Sequence, residues 1–214
     1  MSTVRASAAP RRPGRPSDRA KRAAILEAAT RSFFRNGFAA TSIEQVAAEA
    51  GVSKVTVYNH FGDKRALFTA AVHSECDNMR EHLPIRDAGG EVGTIRERLV
   101  AIGEAIVAFL SRPEMIQFER RIAAETETDP EIGRAFLLAG PRRMRDAFSA
   151  YLEHAAAAGE LRIEDPAIAA EQFVSMCKGM GDLERRFGAA LPGGQDRHRI
   201  ERAVDVFLSA YGPQ

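Results

Sequence analysis

SIEQVAAEAGVSKVTVYNHF, residues 42–61, decides how this chain is read. Ile43, Val46 and Ala47 recur at i, i+3, i+4 and make one apolar helix face. Thr41 and Ser42 are good N-cap residues, and Glu44, three after Thr41, has the spacing of a capping box. Gly51 falls where a helix ends in a left-handed turn, a conformation cheap only for glycine. Val52 plugs the angle, Ser53 caps a second helix, and Val57 and Phe61 turn inward at i, i+4. Lys54, Val55, Thr56, Tyr58 and Asn59 are then left facing outward, with Lys64 beyond the helix end. Hydroxyl, amide and ammonium groups can bond phosphates or base edges, and Val55 and the Thr56 methyl can press on a thymine methyl. The stretch therefore reads as a helix-turn-helix for the DNA major groove. The plainer alternative is a helix pair that only packs, since Ala-x-x-x-Gly hairpins occur in ordinary bundles.

The flanks favour the DNA reading. Ile25, Leu26, Ala29 and Phe33 give a preceding helix that ends at Asn36-Gly37 and completes a three-helix head. Upstream, RRPGRPSDRAKR (residues 11–22) is rich in proline, glycine and arginine, which predicts an extended arm. Arg11, Arg12 and Arg15 could lie in the adjacent minor groove, or form a solvated basic tail. His60, beside Phe61, reads as a packing or capping residue, with base contact the weaker alternative.

The chain resembles the TetR family of bacterial transcription regulators over residues 19–79. The resemblance rests on Ile25-Leu26-x-Ala28-Ala29, Phe33, Gly37-Phe38, Thr41-Ser42-Ile43, Val46-Ala47, Ala50-Gly51-Val52-Ser53-Lys54, Tyr58-Asn59-His60-Phe61 and Lys64-Arg65-Ala66-Leu67. It implies that Thr41, Ser42, Ser53, Lys54, Val55, Thr56, Tyr58, Asn59 and Lys64 face DNA. Val55 departs from the glycine or alanine many relatives carry, which puts the bases read there in question.

Net charge is only +1, but it is unevenly spread. Residues 1–65 hold twelve Lys or Arg against five acids, a net of +7, which leaves −6 for the remainder. The basic part is the part with the motif. Cys76 and Cys177 are too few and too far apart in sequence to suggest a disulfide scaffold, and a reduced, cytoplasmic setting is expected, with nucleoid association when bound to DNA. No apolar run approaches bilayer length, so no membrane partner is expected. No metal or other cofactor is expected.

Residues 64–214 read as helices whose ends are marked by Pro and Gly, so the expected fold is all-α, with nine or ten helices: a basic arm (1–18), a head (19–79) and a larger helical domain (80–214). Leu67, Phe68, Ala71 and Val72 form the buried stripe of a helix from Lys64 to about Glu81, followed by a loop at 84–90. Val92, Ile95, Leu99, Ile102, Ile106 and Phe109 form one seam. Pro113 and Pro130 sit at first-turn positions, the latter after the cap Asp129, and Asp165-Pro166 starts another helix. A loop spans 188–194, and Ile200, Val204, Phe207, Leu208 and Tyr211 mark a last helix. Helices 141–158 and 166–187 are the expected homodimer seam, unless both are simply core. The resemblance also implies a cavity for an unknown small-molecule effector. Phe118, Arg121, Met144, Phe148, Met176 and Met180, with Glu125, are candidates for its wall, or else core and surface ion-pair residues.

The expected function is a homodimeric, sequence-specific repressor bound to a palindromic operator in double-stranded DNA. The alternatives are an all-α enzyme and an architectural DNA protein without an effector. No nucleophile–base pair or phosphate loop is visible for the first, and the second needs no large acidic domain.

Overall fold

The computed structural model describes residues 18–81, 93–189 and 195–213. The arginines at 11, 12 and 15, the loop at 84–90 and part of the loop at 188–194 lie outside the described residues. Among the described residues there are ten helices and no strand: α1 (Asp18–Ala40), α2 (Ile43–Glu49), α3 (Lys54–Phe61), α4 (Lys64–Glu81), α5 (Ile95–Leu110), α6 (Pro113–Thr126), α7 (Pro130–Ala139), α8 (Pro141–Ala157), α9 (Pro166–Arg186) and α10 (Gln195–Tyr211). The fold is all-α, as expected.

Local chemistry sets the helix starts. Four helices, α6 to α9, begin with proline, whose missing N–H costs nothing at a first turn. Asp129 caps α7 by accepting from the Glu131 amide at 3.1 Å, and Asp165 caps α9 by accepting from the Ile168 amide at 3.0 Å. Thr94 and Glu97 form a reciprocal capping box at α5. Of the expected seam, Leu99, Ile102 and Ile106 on α5 are buried and Ile95 and Phe109 half-buried, while Val92 lies outside the described residues.

The start of α2 differs from expectation. Its cap is Ser42, whose Oγ accepts from the Gln45 amide at 3.4 Å. Thr41 is turned inward. Its hydroxyl donates to the Gly37 carbonyl at 2.7 Å and lies 3.3 Å from Ser32 Oγ. The carbonyl of Gly37 needs a partner because α1 breaks there, at φ 82° and ψ −175°. That demand, from a break four residues back, takes Thr41 away from the capping box.

Buried side chains form two clusters. One joins α5, α8, α9 and α10 through Leu99, Ile102, Leu152, Phe173, Val204 and Phe207. The other holds Ile25, Phe33, Val46, Val57, Leu67 and Phe68 of the first four helices together with Met115, Phe118 and Ile122 of α6 and Ile132 of α7. The core of the head is thus continued by α6 and α7.

Candidate nucleic-acid interface and inner cavity

The head presents α3 as a capped, two-sided helix. Ser53 Oγ accepts from the Thr56 amide at 3.1 Å and shares a hydrogen bond with Thr56 Oγ1 at 2.9 Å. Val57 is buried and anchors the inner side. Phe61 is half-buried, with the Arg22 guanidinium 4.8 Å over its ring. Outward stand Ser53, Lys54, Val55 (66% exposed), Tyr58 (39% exposed) and Asn59, with Thr56 half-buried beside them. An exposed valine on a recognition face has no packing reason to be there, and it suits an apolar contact in a groove.

Two expected contacts, those of Thr41 and Lys64, stand differently. Thr41 is 2% exposed and bonded inside the head, so its side chain does not belong to the surface. Lys64 is half-buried: its ammonium donates to the Ala39 carbonyl at 3.1 Å and sits 4.7 Å over the Phe38 ring, and burial lowers its pKa. It ties α4 to the end of α1. His60 is a packing residue, with Nε2 3.4 Å from Asp18 Oδ1.

Lys54 is paired with Glu44, a contact that the sequence reading missed although α2 and α3 must cross there. The Lys54 hydrogen bond, with help from backbone and Ser42, holds the Glu44 carboxyl down at about 2. Glu44 therefore stays ionised at any working pH and presents a negative charge beside the surface meant for phosphates. Glu44→Gln should tighten DNA binding several-fold and steepen its salt dependence, because Lys54 is freed to release counterions. Titrations at several salt concentrations check this, and weaker binding would contradict it.

A cavity of about 580 Å³ lies below the head. Its wall draws on α1, α4, α5, α6, α7, α8 and α9 and includes Phe34, Phe109, Phe118, Phe136 and Phe148 with Met79, Met115 and Met144. Of the residues expected there, Phe118, Met144 and Phe148 line it. Arg121, Met176 and Met180 do not. Arg121 Nη1 instead donates to the Phe34 carbonyl at 3.2 Å. Met176 packs against the α5–α8–α9–α10 core. Met180 is 62% exposed because Gly179, at φ 45° and ψ −152°, breaks the helical register just before it. Glu125 is likewise engaged with α1.

The polar part of the wall is balanced. Glu75, Glu119 and Glu171 face Arg142, Arg145 and Lys178. Glu75 is bonded to Arg112, Glu119 to Arg186 at 2.5 Å, and Glu171 to Arg145 at 3.1 Å. Burial raises the Glu119 pKa against the pull of Arg186 and Lys178. Among the described residues no group of three His, Cys, Asp or Glu could hold a metal. Cys76, in the cavity wall, and Cys177 are buried thiols, pushed up by desolvation to about 11 and about 12. No described helix is long and apolar enough to cross a membrane.

Both halves match known families. Residues 25–71 match the family of bacterial regulatory proteins of the tetR type, and residues 97–213 match the AefR-like transcriptional repressor C-terminal domain. The uncharacterised HTH-type transcriptional regulator YezE of Bacillus subtilis is 28% identical over 87% of this chain and 94% of its own length. The solved flavonoid-responsive regulator FrrA is 32% identical, covering 91% of this chain and 98% of that one, with a TM-score of 0.72. A solved TetR-family regulator from Mesorhizobium loti is 26% identical over 92% of this chain and 100% of that one, with a TM-score of 0.75. With a capped reading helix on a basic head, a helical core behind it and a family match over most of its length, this chain belongs to the TetR family of bacterial regulators and is a DNA-binding regulator of transcription.

Proposed function

We propose that the chain is a homodimeric repressor whose head, residues 19–79, reads one half of an inverted-repeat operator. The single observation that carries this is the outward face of α3, where Lys54, Val55, Tyr58 and Asn59 stand exposed on a helix with its own cap. Ser42, Ser53 and Thr56 complete the proposed contact set, and Arg11, Arg12 and Arg15 form the proposed minor-groove arm. Residues 80–214 hold the effector and the dimer seam.

The proposed seam lies on α9 and α10. Ile168, Met180 and Leu183 on α9, Phe187 at its C-cap (85% exposed) and Val206 on α10 are exposed large apolar side chains. Apolar groups gathered on adjacent helices mark an interaction surface. The outer side of α8 carries Arg142, Asp146, Glu153 and His154 instead, so α10 replaces α8 in the seam expected from sequence. Two such chains related by a two-fold axis place their α3 helices about one DNA turn apart, roughly 34 Å.

The effector we propose is a neutral aromatic molecule with hydroxyl donors. Phenylalanine and methionine favour a flat apolar body, and the balanced wall favours neither a cation nor an anion. Ionised Glu75 and Glu119 are acceptors with lone pairs beyond those that Arg112 and Arg186 take, so they suit donors. FrrA, named for a flavonoid response, agrees with this class. Binding releases the operator only by differing in strength between the two dimer geometries.

The test is Leu183→Glu with Phe187→Glu. Sedimentation should show a monomer with unchanged helicity, and operator affinity should fall on the order of a hundredfold, the loss expected when two linked sites become one. A dimer that still forms and binds would overturn the seam.

A further inference from the structure

Helix α6 has two working sides. Met115, Phe118 and Glu119 line the cavity. Arg121 and Glu125 grip the end of α1. Glu125 Oε2 accepts from the amides of Phe38 and Ala39, both at 3.1 Å, while Arg121 Nη1 donates to the Phe34 carbonyl at 3.2 Å. These backbone groups lie at the break in α1, where helical partners run out. Phe34 is itself cavity wall and stacks on Phe118, with ring centroids 4.1 Å apart and planes within 13°. The same turn leads straight into the reading motif, since Thr41 bonds Gly37 and Ser42 caps α2. Lys64 closes it from α4 through the Ala39 carbonyl.

We propose that Glu125 is the positioning residue that fixes the DNA-reading head against the cavity wall, so that a displacement of α6 by a cavity occupant turns the head through Phe38 and Ala39. The inference rests on the cavity being the effector site, but its first readout needs neither effector nor DNA. A carboxylate holding two amides is a charge-assisted clamp with a defined direction, unlike an apolar contact that can slide. It passes on a shift because packed elements have discrete arrangements.

The test uses the full chain carrying nitroxide labels at Gln45→Cys and Glu153→Cys, diluted into unlabelled chain so that distances within one chain are read. Cys76 and Cys177 are buried with raised thiol pKa values and stay unlabelled at neutral pH. With Glu125 intact the head-to-core distance should be a single narrow population. Glu125→Ala should broaden it at least twofold with helicity unchanged. Glu125→Gln, which keeps an acceptor oxygen, should restore it. A built-in occupant supplies the second readout: Ala147→Trp in the cavity wall should shift the mean distance, and Glu125→Ala should abolish the shift. If Glu125→Ala fails to fold, Arg121→Ala carries the same two readouts. An unchanged distribution in the alanine variant, even with a lower melting temperature, overturns the proposal and reduces Glu125 to a stabilising contact. An Ala147→Trp shift that survives Glu125→Ala also overturns it. Loss of operator binding or of effector response in the parent chain would instead refute the regulator reading and leave the distance result standing.

Discussion

Gly37→Ala should lower the melting temperature by about 10 °C. At φ 82° and ψ −175° the backbone of Gly37 occupies a region essentially closed to residues with a Cβ, at a strain of roughly 1–3 kcal/mol. A methyl there would also collide with Glu125 Oε1 and approach Arg121 Cβ at 3.4 Å. The carboxylate must move, and its two hydrogen bonds to the amides of Phe38 and Ala39 go with it. Bonds to a charged group contribute about 1.5–3 kcal/mol each when intact. Taking one such bond with the strain gives about 4 kcal/mol. For a chain of this size each kcal/mol shifts the midpoint by roughly 2–4 °C. Calorimetry of Gly37→Ala, Glu125→Ala and the double variant makes the check sharper. The double variant should cost less than the sum of the singles, because removing Glu125 removes the collision. A Gly37→Ala midpoint within 2 °C of the parent would contradict the account.

Phe118→Ala is the second large effect, at about 3–5 kcal/mol. Phe118 is fully buried where the core of the head meets the cavity. It stacks on Phe34, meets Phe136 edge-on at 5.6 Å and lies 6.2 Å from Phe68. Truncation removes the ring area and leaves space continuous with an existing cavity, so little can collapse to fill it. Denaturant titration should show a lower midpoint at unchanged slope. Phe118→Leu should cost less than half as much, since most of the volume stays. A cost below 1 kcal/mol for the alanine would mean that α6 is not a structural bridge between head and core.

What could be read from sequence was what depends on near neighbours. The caps Asp129 and Asp165 serve amides two and three residues away, and the outward face of α3 follows from the position of Val57 on a helix of 3.6-residue period. What failed depended on distant chain or on broken register. Thr41 and Ser42 were equivalent caps until the Gly37 carbonyl claimed one of them. Met180 fits the helical spacing of Phe173, Met176 and Cys177, but the backbone at Gly179 departs from the helix and turns it to solvent. Arg121 and Glu125 find their partners about 87 residues upstream, which no local pattern encodes. The cavity wall is assembled from seven helices, and of the candidates conspicuous in the sequence only the adaptable apolar groups Phe118, Met144 and Phe148 line it.

The proposed role of α3 is to read DNA as one of a symmetric pair. Selection of bound sequences from random duplex DNA with the full chain tests it most directly. An inverted repeat should emerge whose half-sites lie about one helical turn apart or a multiple of it, with affinity falling on the order of tenfold or more in Lys54→Ala and in Tyr58→Ala. Recovery of no preferred sequence, with shallow salt dependence and no effect of either substitution, would contradict it.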